Sequence, residues 1–150
     1  MRKLLIICAL IFAGMLIVTA CGGAASGNPP GDQAGTQTTR PEPPEAYANL
    51  ENSYTGDETA AAEGESLYQA DCSSCHGPAG RGDGPAAGGL DPKPQNLAAN
   101  QSHLSDSYLF WRISEGGLID PFYSVMPAWR GILNEEKIWQ IITFLRTLEG

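Results

Sequence analysis

The chain alternates between stretches that cannot form a core and stretches that must. From residue 58 onward, three segments carry apolar side chains at helical spacing. The first runs from about Glu58 to Ala70. Its Ala60, Ala61 and Ala62 favour helix, and Gly64, Leu67 and Tyr68 share one face at i, i+3 and i+4. The second runs from about Asp106 to Glu115, with Ser105 as N-cap, Leu109, Phe110 and Ile113 as its apolar stripe, and Gly116-Gly117 as its stop. The third runs from about Glu135 to Leu148 behind an Asn134 cap, and Glu135 and Glu136 suit the positive end of its dipole. In it Ile138, Ile141, Ile142, Leu145 and Leu148 recur in helical register, and Trp139 and Phe144 widen the stripe. Such a helix is expected to be buried on more than one side. No strand pattern of comparable length exists, so the expected class is all-α.

The N-terminal part reads differently. Arg2 and Lys3 precede an apolar run from Leu4 to Val18, followed by Thr19, Ala20 and Cys21. This is the layout of an export signal, with Val18-Thr19-Ala20-Cys21 placed where a lipoprotein signal is cut and its cysteine acylated. An uncleaved anchor helix is the alternative, although the run is short of the about 20 residues a span needs. Both versions export the domain and tie it to a membrane. Residues 1–20 are thus expected to be a signal, with Cys21 the lipidation site. Residues 21–59 hold Pro29, Pro30, Pro41, Pro43 and Pro44 and few large apolar side chains, too little to offset the entropy of ordering. They are expected to form a flexible tether with a typical reach on the order of 35 Å. The alternative is a segment that orders against a partner through Tyr47, Leu50 and Tyr54. The folded domain is expected at residues 60–150.

Charge narrows the partners. The chain has a formal net charge of −8. Without Arg2 and Lys3 it has 7 basic and 17 acidic side chains, a net charge of −10. Nucleic acid, which needs clustered Lys and Arg, is not an expected partner. A basic docking partner suits this surface.

The cysteines carry the chemistry. Cys8 lies within the signal and Cys21 at its end. The remaining two stand in Cys72-Ser73-Ser74-Cys75-His76, the spacing that attaches a c-type haem. Two thiols separated by two residues reach both haem vinyl groups from one helical turn, and His76 presents its imidazole to the iron. The other axial ligand is expected to be Met126, the sole methionine outside the signal, in a loop before the last helix. Pro127 biases it toward extended backbone. His–Met ligation raises the reduction potential relative to bis-His ligation. His103 is the rival ligand and otherwise a surface residue. Other readings of the pair fit less well. A structural zinc site needs four ligands, and only His76 and His103 are on offer beyond the thiols. A redox dithiol would follow a strand and open a helix, whereas here a helix precedes. A plain disulfide leaves His76 and Met126 without a role. The His76 ring N–H needs an acceptor, expected in the Gly82–Pro85 turn at the Pro85 carbonyl. Trp111, Arg112 and Trp129 are either contacts to the haem propionates and edge, or core packing and a solvated charge.

With these residues in place, the chain resembles a class I, single-haem cytochrome c over residues 58 to 149. The resemblance is carried by Gly64 and Tyr68, by Cys72 to Gly77, by Gly80-Arg81-Gly82-Asp83-Gly84-Pro85, by Met126-Pro127, and by a closing helix with Trp139 and Leu145. It implies an all-α fold whose first and last helices cross, with Gly64 the small residue at the crossing. It also implies one covalent haem c, with Cys72 and Cys75 as thioether sites and His76 and Met126 as axial iron ligands. The lipidation signal and long linker resemble membrane-tethered cytochromes of respiratory complexes, among them the lipoprotein subunit of alternative complex III, a quinol-oxidising assembly. The expected activity is electron transfer to and from redox proteins, without catalysis by this chain alone. The rival activity is a haem enzyme or gas sensor with a displaceable sixth ligand.

Overall fold

The computed structural model describes residues 40–150. The expected signal, Cys21 and most of the expected tether lie outside the described residues. The described part is helical, without a strand. Its helices are α1 (Glu45–Ala48), α2 (Glu58–Asp71), α3 (Ser73–His76), α4 (Leu97–Asn100), α5 (Asp106–Glu115) and α6 (Glu135–Leu145). None of the described helices is long and apolar enough to cross a membrane.

The three long helices start at side chains able to accept the free amides of a first turn. The Asp57 carboxylate accepts from the amides of Thr59 and Ala60, Ser105 from that of Tyr108, and Asn134 from that of Lys137. Helix α6 ends at Leu145 rather than at Leu148. Arg146, its C-cap, turns its guanidinium onto Asp106 and onto the carbonyls of Gln101 and Leu104. That clamp ties the end of α6 to the start of α5.

Helices α2 and α6 cross at Gly64. A Cβ there would overlap the backbone carbonyl of Gln140, so only glycine lets the two backbones approach this closely. The core lies beneath this crossing. Tyr68, Ile138, Ile141 and Ile142 are its most deeply buried side chains. Every residue of α6 from Ile138 to Leu145 is buried, as a helix apolar on more than one face requires.

The structure moves one boundary. Residues 40–57, expected to belong to the tether, pack on the domain. Tyr47 sets its ring 6.3 Å from that of Phe110 and donates its hydroxyl to Glu115. Asn52 donates to the Thr143 hydroxyl at 3.0 Å, and the Arg40 guanidinium lies over the Tyr108 ring. The reason is burial: Phe110 of α5 and Trp139 of α6 form a tilted pair, 4.3 Å apart, and Tyr47 of this segment packs against Phe110. Of the three contacts expected for an ordered segment, Tyr47 and Tyr54 pack against the core, whereas Leu50 stays exposed. Their surface is this domain itself.

Candidate functional site

Helix α2 runs directly into the Cys72–His76 turn. The Cys72 carbonyl accepts from the amides of Cys75 and His76, at 3.2 and 3.0 Å. That single helical turn presents both thiols and the imidazole together. Tyr68, one turn earlier, donates its hydroxyl to the Gly77 carbonyl at 2.8 Å and anchors the exit.

The glycine-rich turn that follows folds back along α3. Gly82 donates its amide to His76, Gly84 to Cys75 and Ala86 to Ser74. These bonds hold the turn against α3 through its amides, and none of its carbonyls is bonded to the His76 ring. The expected Pro85 carbonyl is replaced by that of Gln95, 3.3 Å from His76 Nδ1. The Pro92–Gln95 segment reaches this point because the amides of Leu97 and Ala98 both bind the Gly80 carbonyl. Nδ1 is thereby engaged by a carbonyl, which leaves Nε2 as the free ring nitrogen.

Met126 arrives from the loop between α5 and α6. Gly116, at φ +69°, ends α5, and a Cβ there would run into Pro127 and Ala128. The loop is closed by Gly117 donating to the Met126 carbonyl and Ser124 to that of Gly117, both at 2.8 Å. Beyond it, Trp129 donates to Ile113 and Arg130 to Ser114. The methionine backbone is therefore pinned to the end of α5 on both sides.

Cys72, Cys75, His76 and Met126 all line one cavity of about 440 Å³. Its other walls are mainly apolar, with Leu104, Leu109, Ile113, Ile141 and Leu145 among them. Burial pushes the Cys72 thiol up to about 12, with Asp71 and Cys75 adding to the effect. Burial pulls His76 below the ordinary imidazole value, and the Gln95 carbonyl partly opposes it. Both groups are held in their neutral forms.

His103 is exposed in the short turn Gln101–His103 and does not line this cavity. Among the described residues no three His, Cys, Asp or Glu side chains gather where they would hold a metal ion, so a zinc site at Cys72 and Cys75 lacks its further ligands. Trp111 is buried in the core, edge-on to Tyr108 and Phe122. Trp129 and Arg112 line the cavity. A large apolar cavity with two thiols, an imidazole and a thioether on its wall fits a covalently attached haem. Sequence reasoning missed Gln95, whose only signal was its place just after Pro92-Lys93-Pro94.

Comparison with known proteins agrees with this geometry. A family model described as Cytochrome C oxidase, cbb3-type, subunit III, matches residues 59–145. Among solved structures, cytochrome cL from the marine methylotrophic bacterium Methylophaga aminisulfidivorans MPT is 26% identical, with a TM-score of 0.52, over 78% of this chain and 72% of that one. A chain of the reducing HAO-like protein complex of Kuenenia stuttgartiensis shares the fold at 23% identity and a TM-score of 0.50, over 67% of this chain. The present chain spans only 47% of that protein's length.

Proposed function

The chain belongs to the family of cbb3-type cytochrome c oxidase subunit III and is a class I cytochrome c with covalently bound haem c; from that premise we propose that it is a membrane-tethered electron carrier with His–Met ligation. Cys72 and Cys75 are the thioether sites, and His76 and Met126 are the axial ligands. The observation that carries this reading is the convergence of those four side chains on one apolar cavity. When bound, the haem supplies one-electron chemistry between ferric and ferrous iron.

The residues around it do the rest. The Gln95 carbonyl holds the His76 ring in one orientation. The closed Gly117–Met126 loop keeps the thioether in place, so little rearrangement accompanies a change of charge. Leu104, Leu109, Ile141 and Leu145 exclude water and lower the local dielectric, which favours the less charged, reduced state.

The tether begins at an acylated Cys21 on the extracytoplasmic face of a membrane, following an export signal at residues 1–20. The Val18-Thr19-Ala20-Cys21 sequence supports this part of the reading. Its partners are redox proteins, most directly a membrane quinol-oxidising complex of which it is a subunit or for which it is a shuttle. The family's description as a subunit of an oxidase supports residence in a multi-subunit redox assembly.

The test is optical. A methionine-to-ferric-iron band is expected at neutral pH in the wild type and in His103→Ala, and its loss in Met126→Ala. The pigment should stay with the polypeptide in acid acetone. A high-spin ferric spectrum in the wild type would favour a haem enzyme or gas sensor, and release of the pigment would remove the covalent attachment. Separately, Cys21→Ala should release the protein from membranes with its spectrum unchanged. Mild detergent extraction should recover the wild type with a larger quinol-oxidising assembly.

A further inference from the structure

Arg112 sits on α5, one turn after Tyr108, and both line the cavity. Its Nη1 is closed off from solvent and has no hydrogen-bond partner. The guanidinium is fixed over the Phe122 ring, 3.3 Å from its centroid, with Trp111 at 5.6 Å. Arg112 joins neither of the two ion pairs among the described residues, which are Arg130–Glu115 and Arg146–Asp106. A half-buried cation with one donor sealed from water and unsatisfied is costly unless an anion completes it. The other cationic side chain lining the cavity, Lys93, is exposed to water.

A haem brings two carboxylates into a cavity whose walls are otherwise mainly apolar. We propose that Arg112 is the internal counter-charge for one haem propionate, with the fork of its guanidinium holding the carboxylate at the α5 side of the cavity. Arg112 is then a positioning residue that also sets the reduction potential. Its pairing neutralises a negative charge that would otherwise stabilise ferric iron. Burial pulls the guanidinium pKa down, as expected for a cation whose partner arrives with the cofactor. Its seat over the Phe122 ring supplies pre-organisation, because a guanidinium already held in place loses little freedom when it binds.

This inference rests on the haem reading, which the Met126→Ala spectrum and the acid-acetone extraction probe independently. It is tested on the purified full-length holoprotein with Arg112→Gln and Arg112→Lys. In Arg112→Gln the reduction potential is expected to fall, with a several-fold lower ferrous-to-ferric ratio at a fixed ambient potential. The methionine-to-iron band is expected to persist. In redox-induced infrared difference spectra a propionate carboxylate band should shift in Arg112→Gln. Arg112→Lys, which keeps the charge, should recover most of the potential. An Arg112→Gln protein with wild-type potential and an unmoved carboxylate band would overturn the assignment. So would loss of the methionine band in both variants alike, which would assign Arg112 only to packing against Phe122.

Discussion

Gly64 on α2 meets the backbone carbonyl of Gln140 on α6 with no room for a side chain between them. The obstacle is backbone, so it cannot rotate away, and the helices must separate to admit even a methyl group. Overpacking of this kind costs about 1–3 kcal/mol, occasionally more, and the gain in helix propensity recovers only about 1 kcal/mol. Gly64→Ala is therefore expected to destabilise the holoprotein by about 1–2 kcal/mol, and Gly64→Val by more. Urea unfolding followed at the haem band measures this. An unchanged midpoint would mean that α2 and α6 do not cross here.

Tyr68 is 1% exposed and its hydroxyl donates to the Gly77 carbonyl, just past His76. In Tyr68→Phe the ring still packs beside Phe144, but the carbonyl loses its donor. The expected cost is about 1–3 kcal/mol. Denaturant unfolding gives the stability, and the visible spectrum of the folded variant should match the wild type. A haem-ligand spectrum that changes in native buffer would show that Tyr68 acts on the iron site as well.

Tyr47 tests the redrawn domain boundary. Its contacts with Phe110 and Glu115 hold residues 40–57 on the domain. An aromatic pair contributes about 0.5–1.5 kcal/mol beyond its burial. Tyr47→Ala is thus expected to raise the rate of proteolytic cleavage between Asn49 and Asp57 by about threefold or more, with haem absorption unaltered. Equal cleavage rates in wild type and variant would place the segment off the domain.

The same residue makes docking sensitive to alkali. Burial raises the Tyr47 phenol above its ordinary value of 10.0, and hydrogen bonding to Glu115 adds to that rise, while Arg130 works against it. A group whose folded pKa is raised contributes stability that is complete below its unfolded value and is lost as pH rises through the folded one. Segment docking should therefore be constant from neutral pH to about pH 10 and weaken above it. Proteolysis over a pH series, with Tyr47→Phe as the non-titrating control, measures this. A loss of docking between pH 7 and 9 would contradict the assignment.

What could be read in advance was what short-range chemistry dictates. The Cys72–His76 spacing, the Met126-Pro127 pair and the caps at Ser105 and Asn134 are local patterns, and the last two recur in the structure as hydrogen bonds. The apolar period of α6 likewise foretold burial on several faces, because a helix with Trp139 and Phe144 beside its isoleucine stripe has little polar surface left. Only the extent of α6 was overestimated, since Leu148 still packs on the core from beyond the helix end.

Contacts between distant residues had no such signature. Composition marked residues 40–57 as tether, yet Tyr47 and Asn52 find partners 68 and 91 positions away. The acceptor for His76 is the Gln95 carbonyl, 19 positions away, brought to the ring as the Leu97 and Ala98 amides bind the Gly80 carbonyl. The unpartnered Arg112 donor became visible only once α5 was set against the cavity. Residue order by itself marked the three long helices and the haem-attachment motif, since both depend on spacings of a few residues. Tertiary packing decided which carbonyl holds the imidazole, where the domain begins and which cation is left without a partner, since each depends on surfaces meeting across the fold.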